Sequence, residues 1–138
     1  DDKKVIQTDY ARFGRNDECI RFLIDEASDS TNSRRTQLNA LVTLLYFDYS
    51  STRLGHLIVD RLMVLLHNPD HPDGDYVNLV IDVIGTTGLY RSQDIDTLFE
   101  RFQHREHRHI RSALYHLALR SGTQEARIDY LIHGLTKS

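Results

Sequence analysis

Apolar residues recur at spacings of three and four along most of the chain, and strict alternation of apolar and polar residues is absent. This period is that of amphipathic α-helices, and it gives no support to β-strands. The pattern predicts an all-α fold of seven or eight helices joined by short loops. The apolar faces that carry this prediction are Leu38, Leu41, Val42 and Leu45; Leu62, Leu65 and Leu66; Val77, Val80, Ile81 and Ile84; and Ile110, Ala113, Leu114 and Leu117.

Both prolines, Pro69 and Pro72, lie in one polar stretch at residues 67–75. Because proline lacks a backbone N–H and breaks helices, this stretch is predicted to be a loop, named here the proline loop. Asp94 and Thr123 have side chains typical of helix N-caps. Further breaks are predicted at residues 28–33, 49–52, 88–92, 104–108 and 121–123.

The helical pattern repeats along the chain. Residues 95–102 resemble residues 128–135 at an offset of 33, and similar segments begin at Val59 and Ile20. The helix that follows each segment also repeats, at offsets of 39 and 33. Two helices per unit indicate an α-solenoid, because a hairpin that cannot bury its own apolar faces stacks on its neighbours. The alternative is an irregular helical bundle with chance similarity between its helices.

Residues 109–122 resemble the second helix of a HEAT-like repeat, in which an apolar residue and Arg precede alternating small and large apolar residues and a final Gly. Leu98, Phe99 and Phe102 resemble the end of the first helix of such a repeat. The resemblance implies one domain over residues 1–138, a short right-handed α-solenoid of about four HEAT-like hairpins. The implied repeats are roughly residues 15–50, 53–88 and 93–121, with 123–138 as a truncated cap, and the second helices, roughly 34–48, 75–87 and 107–120, would line the concave face.

Charge is unevenly distributed over the 138 residues. The total is −3, but residues 1–59 carry −1, residues 60–100 carry −6 and residues 101–138 carry +4. One Cys excludes an internal disulfide, and no apolar run has the length of a membrane span. The acidic start of the chain is unlike a signal peptide, so we expect a cytoplasmic protein that makes no contact with membranes.

No catalytic motif stands out, and the sequence predicts neither an enzyme nor a metal or cofactor site. His104, His107, His109 and His116 are close in sequence but lack the spacing of metal-ligand motifs, so a solvated, Arg-rich loop is favoured. The carboxylates of the proline loop depart from the EF-hand pattern. Cys19 lies beside Ile20 and Leu23 on an apolar face, and a core position is predicted for it.

Four arginines, Arg101, Arg105, Arg108 and Arg111, form a basic run that raises the possibility of nucleic-acid binding. The negative total charge and the aspartates of the middle repeat argue against it. The alternative is a solvated face, or salt bridges between repeats in which Asp96 or Asp129 binds a neighbouring Arg.

The remaining features favour a protein-binding module. A small acidic helical protein of this kind resembles immunity proteins, some of them HEAT-like, that neutralise toxic nuclease domains in bacterial competition systems such as contact-dependent growth inhibition. The resemblance implies a basic toxin domain as partner, bound by carboxylates that occupy the positions of nucleic-acid phosphates. A scaffold or adaptor for a cellular protein is the alternative, and the tyrosines could instead fill the core. The predicted partner-binding residues are Asp70, Asp73, Asp75, Asn78, Asp82 and Arg111, with Tyr46, Tyr49 and Tyr115 as anchors.

Overall fold

A computed structural model describes residues 15–122 and 125–137, and within these ranges the chain forms seven α-helices and no strand. The prediction of an all-α fold is confirmed. No helix in the described part of the chain combines the length and the apolar composition that crossing a bilayer requires. The helices are α1 (Arg15–Ser28), α2 (Arg34–Leu44), α3 (His56–Leu65), α4 (Gly74–Thr87), α5 (Ser92–Phe102), α6 (Arg108–Ser121) and α7 (Glu125–Lys137).

Side chains satisfy the free backbone N–H groups at three helix starts. The Ser33 hydroxyl accepts from the N–H of Thr36 at α2, and the Asp73 carboxylate accepts from two N–H groups at α4. The His107 ring accepts from the N–H of Ile110 at α6. At the opposite ends of α4 and α6, Gly88 and Gly122 have φ of 66° and 68°, which glycine adopts without strain.

Asp94 is not the N-cap of α5, contrary to the sequence prediction. It lies in the first turn, where its carboxylate accepts a 2.8 Å hydrogen bond from the backbone N–H of Arg91. This is the carboxylate half of a capping box, so the residue type is right and the position differs by three. Thr123, the other predicted N-cap, lies outside the described residues.

The even-numbered helices pack in sequence, α2 against α4 and α4 against α6. Each odd-numbered helix from α1 to α5 packs against the helix that follows it, and α7 packs against α6. One core runs through all of these contacts, because apolar residues of every helix join a single buried cluster. Its largest members include Phe99 and Phe102 of α5 and Ile81 and Ile84 of α4.

The buried face of α2 differs from the predicted one. Val42 is 39% exposed, whereas Ala40, Leu41 and Leu44 are buried. The buried positions of α2 therefore match those of α4 at an offset of 40, one residue more than the sequence alignment indicated. The offset of 33 between α4 and α6 agrees with burial, since the predicted faces of both helices are buried throughout.

Three ion pairs join consecutive odd-numbered helices. Asp25 of α1 pairs with Arg61 of α3, and Asp60 of α3 pairs with Arg91, the residue before α5, at 2.9 Å. Asp96 of α5 pairs with Arg127 of α7 at 3.0 Å, so its partner is not one of the arginines of the basic run for which such a bridge was the alternative. We call these three pairs the ion-pair ladder. Each is partly solvated, so each contributes little to the stability of the fold.

Candidate protein-binding surface

Three polar residues follow one another along the side of α4 that does not enter the core. Asp75 is exposed, and Asn78 and Asp82 are partly exposed, at spacings of three and four that keep them on one helical face. We call Asp75, Asn78 and Asp82 the α4 strip. The opposite face of α4 is fully buried, so packing fixes the direction in which the strip points.

The neighbouring helices present different chemistry at the equivalent positions. With offsets of 40 and 33, which are consistent with burial, Asn78 corresponds to Leu38 on α2 and to Arg111 on α6. Asp82 corresponds to Val42, which is exposed, and to Tyr115, which is partly exposed. Because α2, α4 and α6 pack in sequence, the strip lies between an apolar stripe and a stripe of Arg and Tyr.

Asp73 has a structural role at the start of α4. Its carboxylate accepts hydrogen bonds from the backbone N–H groups of Asp75 and Tyr76, at 3.1 and 3.2 Å. Arg34 of α2 donates to both of its oxygens, at 2.5 and 3.1 Å. The Arg34 guanidinium, followed by the helical N–H groups, lowers the pKa of Asp73 and outweighs burial, which raises it.

Arg34 also neutralises Asp75, whose carboxylate lies 2.9 Å from Nη2 of the same guanidinium. One arginine therefore pairs with two of the predicted partner-binding carboxylates. These two ion pairs raise the pKa of Arg34, with the hydrogen bond to Asp73 as the largest cause. The acidic surface of the proline loop and α4 is consequently less negative than the count of aspartates implies.

Asp82 is in a different environment. Burial raises the pKa of its carboxyl, and the charges of His116 and Arg120 on α6 oppose that effect. Within the described residues the carboxylate accepts no hydrogen bond and forms no ion pair. It is thus a half-buried carboxylate without a bonded partner.

Asp70 lies on the exposed surface of the proline loop, apart from the strip. Its backbone N–H donates to the side chain of Asn68 at 3.0 Å, which closes a turn of the kind that Asn residues favour. A cavity of about 280 Å³ opens beside it, lined by Pro69, Asp70, Arg101, His104 and Arg105.

The three predicted anchor tyrosines have three different placements. Tyr46 is 83% exposed just after α2. Tyr115 is partly buried against the core and lies 5.7 Å from the ring of His116. Tyr49 is only 6% exposed and its hydroxyl donates to the carbonyl of Leu44, so its role as a surface anchor is corrected to a core residue that caps the end of α2.

Alkaline pH is expected to destabilise the fold through its buried tyrosines. Burial raises the pKa of Tyr76, whose hydroxyl donates to the carbonyl of Ala27 at 2.8 Å, to about 12, and it also raises the pKa of Tyr49. Because the unfolded chain loses these protons first, stability is full below about pH 10 and falls as the pH rises towards about 12. Urea unfolding across this pH range should show a smaller decline for Tyr76→Phe, whereas the exposed Tyr46→Phe should decline as the wild type does.

The basic run is largely committed to internal contacts. Arg101 donates to the carbonyl of Leu66 at 3.2 Å, and Arg105 donates to the carbonyls of Pro69 and His71. These bonds hold Arg101 against the residue before the proline loop and Arg105 against the loop itself. Sequence reasoning missed this role because backbone carbonyls leave no sequence signal.

Arg111 lies over the ring of Tyr130 of α7, with Cζ 5.6 Å from the ring centre. One of its terminal nitrogens is buried without a hydrogen-bond partner among the described residues. The predicted surface contact of Arg111 is therefore restricted to the part of the side chain that remains exposed.

The histidines of this region also have local roles. His107 caps α6, and His104 contacts Tyr130 at 3.5 Å. Within residues 15–122 and 125–137, no three His, Cys, Asp or Glu side chains converge on a point where they could hold a metal ion. Cys19 is exposed, so the prediction that it is a core residue is wrong.

Comparison with known proteins returned no match: no family model, no curated protein and no solved structure is significantly similar to this chain.

Proposed function

We propose that the protein is a protein-binding inhibitor of the immunity type, which neutralises a basic toxin domain, such as a nuclease, by direct binding. The observation that carries this proposal is the α4 strip, because it presents the Asp82 carboxylate, which has no ion-pair partner among the described residues, on a helix whose other face is fixed in the core. Carboxylates on a rigid element can occupy the positions that a nuclease offers to phosphates, and the opposite charge accelerates association.

We further propose that the helices form a short right-handed solenoid of HEAT-like hairpins. The sequential packing of α2, α4 and α6 supports this, as does the ion-pair ladder on the odd-numbered helices. In such a solenoid the second helices line the concave side, and the α4 strip lies at its centre. A bacterial cytoplasmic protein of the contact-dependent inhibition type fits this arrangement.

One observation favours the alternative function, an adaptor that binds a cellular protein. Phe22 of α1 and Leu57 of α3 are each 60% exposed, and a groove of about 220 Å³ between these helices is floored by Ile24 and Ile58. A second apolar surface away from the α4 strip suits a protein that joins two others. Nucleic-acid binding has less support, because the arginines Arg101 and Arg105 already donate to backbone carbonyls.

Reversing the charges of the strip should slow association with a basic toxin domain encoded beside this gene. We expect Asp75→Lys combined with Asp82→Lys to lower the association rate about tenfold or more at low salt, and to flatten its salt dependence. Stopped-flow mixing at several salt concentrations measures both. Asp73 is left intact because it caps α4.

The matched control carries the same change in net charge on other helices, Glu18→Lys on α1 with Glu100→Lys on α5, both exposed. This variant should retain most of the association rate. Equal slowing in the two variants would show that total charge, and not the strip, governs binding. A neighbouring toxin domain that does not bind the wild-type protein would overturn the inhibitor proposal.

A further inference from the structure

We propose that Asp82 is the carboxylate that binds a guanidinium or ammonium group of the partner, while Asp73 and Asp75 remain paired with Arg34. The inference rests on the proposed function in taking the partner to be a basic protein. It goes further by separating one of the four predicted aspartates from the rest and by naming the chemical group that meets it.

These carboxylates differ in the groups that they already bind. Asp73 accepts two backbone N–H groups and Arg34, and Asp75 shares the same guanidinium. A partner cation at either position would compete with an intramolecular ion pair. Asp82 has no hydrogen bond or ion pair within the described residues, and only the charges of His116 and Arg120 act on it from α6.

The nearest cations do not take this position. His116 and Arg120 of α6 act on Asp82 only through their charge. The Arg120 guanidinium lies against the backbone of Gly85, one turn beyond Asp82, where a Cβ on Gly85 would be 2.9 Å from Nη1. Because glycine leaves this space open, Arg120 packs there.

Partial burial makes Asp82 a stronger contact than an exposed aspartate. The carboxylate has lost part of its water in the free protein, which is why burial raises its pKa. A partner cation therefore meets a charge whose desolvation is already partly complete, and the shielded site strengthens the attraction. Close, shielded charge pairs are among the interface contacts with large coupling energies, whereas solvated charges at the rim contribute little.

The flanking positions suit the long side chain of an arginine or lysine. Val42 of α2 and Tyr115 of α6 are equivalent to Asp82 on the two neighbouring helices, and both keep exposed surface. An apolar residue on one side can contact the methylene stem, and an aromatic ring on the other can contact the cationic head. No three metal-ligating side chains converge in the described part of the chain, so a side-chain cation of a protein is the occupant that we infer.

The test compares two isosteric variants, Asp82→Asn and the matched control Asp75→Asn. The probe is an oligo-arginine peptide, with an oligo-glutamine peptide of the same length as the uncharged reference, titrated by calorimetry at about 0.15 M salt. We expect Asp82→Asn to weaken oligo-arginine binding about tenfold and Asp75→Asn to weaken it less than about threefold.

A stability measurement on the free proteins gives an independent result. Asp82→Asn removes a half-buried charge that has no bonded partner, so its thermal midpoint should rise at neutral pH. Asp75→Asn removes an ion pair with Arg34, so its midpoint should fall slightly or stay unchanged. Higher stability together with weaker binding is the signature expected of Asp82.

The outcomes separate this inference from the proposed function. Equal loss of oligo-arginine affinity in both variants, or none in Asp82→Asn, would overturn the role of Asp82 and leave a basic partner in place. A lower thermal midpoint for Asp82→Asn would also overturn it, since the carboxylate would then have an internal role. No binding of oligo-arginine to the wild type would count against a basic partner, and so against both.

Discussion

Replacing Phe102 by alanine is expected to lower the free energy of unfolding by about 3–5 kcal/mol. Phe102 is the last residue of α5 and is fully buried in the cluster that all seven helices share. Truncation removes most of an aromatic ring from that cluster, and the surrounding helices can fill the cavity only in part. For a chain of this size, the loss is a large fraction of the total stability.

Urea unfolding followed by circular dichroism measures this loss. Phe22→Ala is the matched control, because the same residue type is 60% exposed on α1 and its truncation should cost about 0.5 kcal/mol or less. Similar costs for the two variants would mean that the ring of Phe102 is not in a continuous core.

The second large effect is expected at Gly74, the first residue of α4. A Cβ at this position would lie 2.1 Å from Nε2 and 2.4 Å from Cδ2 of His107. The ring cannot move aside without cost, because its Nδ1 accepts from the N–H of Ile110 and so caps α6. We expect Gly74→Ala to destabilise the protein by about 1–3 kcal/mol, although alanine is the better helix former.

Gly85→Ala provides the contrast on the same helix. The nearest atom there is the end of the flexible Arg120 side chain, which can move, so alanine should be neutral or stabilising by up to about 1 kcal/mol. Removing the ring in Gly74→Ala/His107→Ala should restore part of the loss caused by Gly74→Ala alone. A double variant no more stable than expected from adding the two single effects would exclude the contact with His107 as the cause.

The helices were predictable because their signals are local. The faces of α4 and α6 follow from the spacing of Val77 to Ile84 and of Ile110 to Leu117, and the breaks follow from proline, glycine and capping residues. The buried face of α2 was not predictable from the sequence, because apolar residues lie on more than one side of this helix. They are Leu38, Leu41, Val42, Leu44 and Leu45. Packing in the common core, which buries Ala40, Leu41 and Leu44, decides between these sides.

The candidate surface was predictable in composition but not in its internal pairing. The sequence indicates that the proline loop and α4 are acidic, yet Arg34 lies 39 residues before Asp73, and only the packing of α2 on α4 brings them together. The sequence predicts Tyr49 at the surface, but the side chain is buried. Its burial depends on the turn after α2, which the sequence pattern does not reveal. The half-buried state of Asp82 likewise depends on α6 and has no local signal.

The ion-pair ladder also bears on how such a chain can change its length. Each pair takes its carboxylate from an earlier helix and its arginine from a later segment, so the contact runs head to tail and has no built-in end. A tandem copy of residues 56–91 would carry both members of the Asp60–Arg91 pair, so that pair would recur at each added hairpin. The copied Arg61 would have no counterpart of Asp25 on the preceding helix, so a lengthened stack would need one further carboxylate there.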